Sequence, residues 1–208
     1  MDYGLYIHIP FCRKKCPYCA FASIPGGEAL FDPYARALAR ELDSRMTGVF
    51  SGTPRTVYIG GGTPSIFPPA LLREILENRI SGAVEVTVEA NPDSIDSRWL
   101  GTVRDAGVNR ISIGVQSLDD RLLENLGRLH TAAHAIRAVR LARAAGFRSV
   151  SIDLMFGVPG QTVKSWKRTL EGALELGVDH LSAYSLTIEE DTPFLERSRT
   201  GIPLDVPA

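Results

Sequence analysis

Leu5-Tyr6-Ile7-His8-Ile9-Pro10-Phe11-Cys12-Arg13-Lys14-Lys15-Cys16-Pro17-Tyr18-Cys19 joins a short apolar, β-branched run to a loop that carries three cysteines. The run from Leu5 to Ile9 reads as a strand, and Pro10 helps to break the loop away from it. The spacing C-x3-C-x2-C favours one metal centre. Thiolates are soft ligands suited to zinc or iron–sulfur clusters, and a closed structural zinc site takes four ligands, whereas the sequence holds three cysteines. His8 as the fourth ligand of a zinc ion is the alternative, although it lies within the strand. Cys12, Cys16 and Cys19 on three irons of a cubane would leave one iron open, and an open metal position is where a cofactor or substrate binds.

Working outward, similar runs recur at Thr56 to Ile59, Val84 to Val88, Arg110 to Val115, Ser149 to Leu154 and His180 to Ser185. With Leu5 to Ile9 they read as six strands. Helical patterns lie between them. Asp32-Pro33 looks like a cap and first-turn proline, followed by Ala35, Leu38, Leu42 and Met46 on one face. Thr131 opens a second helix that Gly146 closes. A third carries Val163, Trp166, Leu170 and Leu174 at helical spacing and ends at Gly177. Strand–helix alternation calls for a parallel sheet with right-handed crossovers, so the expected fold is α/β, a partial (β/α)6 barrel in one domain over residues 1–208. The tail from Arg197, with Pro203 and Pro207, shows no further strand.

With 208 residues, 44% hydrophobic content and a formal net charge of -1, the chain has the balance of a globular domain with a substantial core. Near-neutral charge argues against a large nucleic-acid footprint. The apolar runs are too short for a transmembrane span, and Met1-Asp2-Tyr3-Gly4 lacks the basic start of a secretory signal, so a cytoplasmic protein is expected. Peripheral contact with a membrane surface stays open. Three cysteines cannot pair off into a disulfide framework, which points again to metal chemistry in a reducing compartment.

Parallel α/β barrels gather their chemistry at the carboxyl ends of strands. Here the first strand leads into the cysteine loop and the second into Gly60-Gly61-Gly62-Thr63-Pro64. The third ends at Glu89, the fourth at Gln116, and the fifth contains Asp153 before Gly157. All face one mouth. Consecutive glycines let backbone groups approach a ligand closely, and Thr63 adds a hydroxyl. A glycine run beside a metal loop points to a zwitterionic ligand.

Tyr6-x-His8-Ile9-Pro10-Phe11-Cys12-x3-Cys16-x-Tyr18-Cys19, followed by Gly60 to Ser65, resembles the radical S-adenosylmethionine (SAM) proteins related to oxygen-independent coproporphyrinogen III oxidase. Further segments match in order: Glu89-Ala90-Asn91-Pro92, Ser112 to Ser117, Leu126-Gly127-Arg128, Asp153 to Gln161, and Tyr184-Ser185-Leu186. The resemblance implies a [4Fe-4S] cluster whose open iron chelates SAM, with one electron splitting the sulfonium into methionine and a 5′-deoxyadenosyl radical. That implies an electron donor such as flavodoxin or ferredoxin. Carried over by position, Tyr6 and Tyr18 lie near SAM, and Gly61, Gly62 and Thr63 line its methionine moiety. Glu89, Gln116, Arg128 and Asp153 supply polar contacts: carboxylates suit ribose hydroxyls or an ammonium group, and Arg128 can pair with a carboxylate. Taken alone, Asp153 reads equally well as a satisfied buried acid, and Arg128 as a solvated charge at a helix end.

Oxidase members of the group carry a further cysteine two positions after the third, where this chain has Phe21. Phe21 instead matches the branch resembling heme chaperones, which bind heme and hand it to a heme-receiving protein. Porphyrinogen decarboxylation, or radical chemistry on another small molecule, is the alternative. Chains of the group normally continue into a smaller C-terminal domain, expected to carry the heme-binding motif and absent here. Outside the motifs, His130 and His134 read as surface or capping groups, Arg13-Lys14-Lys15 as solvated charges, and Trp99 and Trp166 as core.

Overall fold

In the computed structural model, which describes residues 3–47 and 52–200, period-two alternation along the strands sets the architecture. In β1 (Gly4–Ile9), Ile7 and Ile9 are buried while Tyr6 and His8 take the opposite face. The pattern repeats along β4 (Thr56–Gly61), β5 (Glu85–Ala90), β6 (Arg110–Gln116) and β7 (Ser149–Phe156). Val57, Ile59, Val86, Val88, Ile111, Ile113, Val150 and Ile152 form one apolar layer in the main core. Tyr58, Thr87, Glu89, Ser112, Ser151 and Asp153 form the other, polar face. With β8 (His180–Ser185) these strands make a six-stranded, all-parallel sheet in the order β1-β4-β5-β6-β7-β8. The sheet is a partial barrel with β1 and β8 at its edges, and its six strands match the six expected runs to within two residues at each end.

Helices α1 (Phe31–Thr47), α2 (Pro69–Leu76), α3 (Ser97–Asp105), α4 (Asp120–Asn125), α5 (Ala132–Ala144) and α6 (Val163–Glu175) connect the strands, and α7 (Pro193–Arg199) follows β8. Thr131 caps α5 as expected: its side chain accepts from His134 N–H while the His134 ring accepts from the Thr131 amide. His134 is thus a capping group. Gly146 and Gly177 follow α5 and α6 in the left-handed region, at φ 80° and 62°. Trp99 is buried and donates to the Phe67 carbonyl at 3.2 Å, and Trp166 packs on the core beside Phe156.

Three expectations need correction. A 3₁₀ turn (Glu28–Leu30) runs directly into α1, which starts at Phe31, so Asp32 sits inside the first turn and complements the helix dipole instead of capping it. The buried stripe of α6 is Ser165, Thr169 and Ala173; Trp166 and Leu170 flank it, whereas Val163 and Leu174 are 82% and 72% exposed. His130 is a buried residue, not a surface one. As expected, the described part of the tail from Arg197 holds no strand: it belongs to α7, whose Phe194 is buried. Pro203, Pro207, Met1 and Asp2 lie outside the described residues. No described helix is long and apolar enough to cross a membrane.

Candidate functional site

The cysteine loop is pinned at its base by a miniature sheet. β2 (Phe11–Cys12) pairs with β3 (Ile24–Pro25), and the Gly26 amide donates to the Cys12 carbonyl at 2.8 Å, so both ends of the loop stand side by side. Phe11 anchors it from behind, its ring 4.9 Å from Phe31, 5.3 Å from Tyr34 and 5.9 Å from Phe67. Within the loop, Cys19 N–H donates to the Cys16 carbonyl at 3.1 Å. From the far end of the chain, Phe194 N–H donates to the Pro17 carbonyl at 3.0 Å and its ring lies 6.2 Å from Tyr18.

Cys12, Cys16 and Cys19 line one cavity of about 450 Å³, open at the carboxyl ends of the strands. That size suits a small-molecule site. Tyr18, Gly62, Thr63, Glu89, Gln116, Arg128 and Asp153 line the same cavity. Gly61 stands just behind the wall, its amide donating to Glu89 Oε2 at 3.2 Å. Tyr6 is not brought to the cavity: its hydroxyl bonds His8 Nδ1 at 3.1 Å and its ring stacks on Tyr58. Both ring nitrogens of His8 are engaged, Nε2 with the Ala22 carbonyl at 2.8 Å, so His8 does not act as a fourth ligand to the cysteines. Among the described residues no three Cys, His, Asp or Glu side chains gather around a single-ion position, although all three thiols line the one cavity.

The polar inner face is electrostatically loaded. Burial raises the pKa of Glu89, with Asp153 adding repulsion, against the hydrogen bonds from Tyr58 (2.7 Å) and Gly61. Burial also raises Asp153, which accepts from Ser112 at 3.2 Å and from Ser182. Two partly desolvated acids therefore face one cavity, an arrangement that a cationic or hydroxyl-bearing ligand would relieve. Opposite them stands Arg128, which donates to Asn91 Oδ1 (2.6 Å), the Gly114 carbonyl (3.0 Å) and Cys16 Sγ (3.8 Å). Burial works against its charge, yet Tyr18 and Cys16 outweigh that and its pKa is raised. Among the described residues, no carboxylate pairs with it. A desolvated cation without a carboxylate needs negative charge nearby, which thiolates bound to iron and a ligand carboxylate would both supply. The Arg128 reading as a solvated helix-end charge is excluded by these contacts.

Gln116 adopts φ 65° after a register shift in β6, and Tyr184 donates to its Oε1 at 2.7 Å. A non-glycine residue held in the left-handed region at a cavity wall is strain kept at a site. Burial raises Tyr184 to about 12, so it remains a neutral donor. Burial likewise raises the Cys19 thiol, with Cys16 and Cys12 adding to it and the Phe21 backbone and Lys15 working against it. The donor set fits the implied groups: three thiols for a cluster, two acids and an arginine for a zwitterion. Tyr58, Tyr184, Asn91 and Phe194 were not singled out as site residues. Tyr58 shares the strand face of Gly60 two positions on, a signal present in the alternation; Phe194 left none, because its contact spans most of the chain.

Residues 6–173 match the family model described as the Radical SAM superfamily. The heme chaperone HemW of Bacillus subtilis is 38% identical over 207 residues, 95% of this chain and 55% of that protein. HemW of Escherichia coli is 41% identical over 200 residues, 93% of this chain and 53% of its relative. Coproporphyrinogen III oxidase HemN of Escherichia coli, described as a radical SAM enzyme, superposes with a TM-score of 0.85 at 30% identity, covering 100% of this chain and 49% of that one. The chain thus spans about half the length of these relatives. Cysteine loop, glycine turn and acidic strand ends fall together inside the matched stretch, and the chain belongs to the Radical SAM superfamily.

Proposed function

We propose that this chain holds a [4Fe-4S] cluster and SAM and serves heme trafficking, as the radical SAM part of a heme chaperone, rather than porphyrinogen decarboxylation. One observation carries the choice: Phe21, two residues after Cys19, occupies the cavity rim at 67% exposure where the oxidase pattern has a further cysteine. The names of the HemW relatives support the same reading. Cys12, Cys16 and Cys19 would hold the cluster, which when bound supplies one electron to the SAM sulfonium. Arg128 would receive the SAM carboxylate, and Glu89 and Asp153 its ammonium or ribose hydroxyls; Tyr18, Gln116, Gly62 and Thr63 would shape the pocket. An electron-donating flavodoxin or ferredoxin, a heme-receiving protein and a cytoplasmic setting complete the proposal.

The experiment reconstitutes the chain anaerobically with iron and sulfide, then adds SAM, dithionite and coproporphyrinogen III. About four irons per chain and SAM binding are expected, with no decarboxylated porphyrinogen. Decarboxylated product would overturn the chaperone assignment in favour of the oxidase. Heme titration of protein expressed from its complete coding sequence should saturate at one heme per chain, and absence of heme binding there would also overturn it.

A further inference from the structure

Asn91 touches no cysteine, yet it joins two of them through Thr63 and Arg128. Its Oδ1 accepts from Arg128 Nη2 at 2.6 Å, and its Nδ2 donates to Thr63 Oγ1 at 3.1 Å. Thr63 Oγ1 lies 3.4 Å from Cys12 Sγ, and Arg128 Nη1 lies 3.8 Å from Cys16 Sγ. The contacts run unbroken from Cys12 through Thr63, Asn91 and Arg128 to Cys16.

Arg128 and the Asn91 amide force the direction of their own bonds, and a metal-bound thiolate at Cys12 would force that of Thr63. A guanidinium has donors and no acceptor, so the Asn91 amide must turn its oxygen to Arg128 and its NH2 to Thr63. Thr63 Oγ1 then accepts from Asn91, and its own hydrogen is free to point at Cys12. A thiolate is an acceptor only, so both ends of the relay deliver a donor to sulfur. Asn91 is itself held: its amide N–H donates to Ser65 Oγ at 2.9 Å, at the end of β5. Arg128 is fixed a second time by the Gly114 carbonyl.

We propose that Asn91 is a positioning residue that sets the polarity of this relay, keeping one hydrogen-bond donor on Cys12 and one on Cys16 and thereby raising the reduction potential of the cluster. This rests on the cluster reading above. Donors to cluster thiolates stabilise the reduced, more negative state, which is one of the protein's main controls over iron–sulfur potentials. Thr63 alone would not suffice, because an unanchored hydroxyl turns to whichever acceptor is nearest.

The test is an EPR-monitored redox titration of the reconstituted full chain without SAM, so that ligand contacts do not enter. Asn91→Ala should lower the equilibrium constant for one-electron reduction by about tenfold, a shift of about 59 mV to more negative potential. Thr63→Val should shift it in the same direction. The double variant should shift by less than the sum of the two, since both remove the same donor to Cys12. Asn91→Asp, which keeps the shape and the acceptor for Arg128 but has no donor for Thr63, must show the same non-additivity with Thr63→Val and serves if the alanine variant does not load iron. Unshifted potentials, or shifts that add in full, in variants that load as much iron as the parent overturn the relay. A parent chain that loads no cluster overturns the cluster reading itself.

Discussion

At Gly62 one added methyl group would lie 2.7 Å from the Phe11 carbonyl and 3.0 Å from Cys12 Sγ. The first of these is backbone that cannot swing away, so Gly62→Ala should push the Cys12 strand off the cavity wall. Loss of most of the iron taken up on reconstitution is expected, read by iron and sulfide assay, with the far-ultraviolet circular dichroism of the parent. His130 shows what a buried residue does when its second nitrogen has no partner. Its Nε2 bonds the Val115 carbonyl at 3.0 Å, its Nδ1 is unpaired, and burial lowers its pKa to about 4 from an ordinary 6.5, with Arg128 adding to the effect. Above pH 6.5 the imidazole is neutral whether folded or not. As pH falls toward 4, the unfolded chain takes up a proton that the folded chain refuses, so stability is lost across that window. Between pH 7 and 5 the loss is about 2 kcal/mol. Urea titrations at both pH values should show His130→Phe losing less stability than the parent over this range, although it is the weaker protein at pH 7.

Elements end where their neighbours allow. Gly127, at φ 68° after α4, and Gly177, at φ 62° after α6, share the left-handed conformation but not the surroundings. An added Cβ at Gly177 meets nothing closer than 3.9 Å, whereas at Gly127 it would meet Pro17 Cδ of the cysteine loop at 2.7 Å. Gly177→Ala should therefore cost only the backbone preference, about 1 kcal/mol in chemical denaturation, and leave cluster loading alone. Gly127→Ala should cost more and also lower the iron content, because α4 and the loop have to part. The left-handed stop at Gly177 was legible in the sequence, as were Thr131 as a cap and all six strands, since local chemistry decides each of them. The α6 face was misread because its apolar residues follow a helical stripe while small side chains, Ser165, Thr169 and Ala173, make the close approach. His130 was misread, and α7 went unread, because their burial comes from residues distant in sequence, a contact that no local pattern carries. At the site, spacing exposed the cysteines and strand-end position exposed Glu89, Gln116 and Asp153. Asn91 stands in the matched segment Glu89 to Pro92, but its bonds to Thr63 and Arg128 appear only once those side chains are placed.

On the scale of the whole molecule, the partial barrel inverts the usual arrangement. A closed barrel fills its interior with branched apolar side chains; here the inner face carries tyrosines, acids and serines around a cavity, and the apolar layer lies wholly beneath the helices. The last strand, β8, is exposed at four of its six positions, on both faces. Beside it, Val163 and Leu174 stand three turns apart on one exposed stripe of α6, and Phe156 is 40% exposed. Replacing both Val163 and Leu174 with Lys should change folding stability by no more than about 0.5 kcal/mol, as surface substitutions do. The same variant should raise the concentration at which the chain begins to self-associate in light scattering, and a large loss of stability would show that the stripe packs against something. The bond from Phe194 to Pro17 has a further consequence, for the order in which this protein is made. Ribosomes add about 5–20 residues each second, so on the order of ten seconds or more separates the cysteine loop from the segment that closes over it. During that interval the cysteine loop of a nascent chain lacks the hydrogen bond to Pro17 and the ring contact to Tyr18 that Phe194 later supplies.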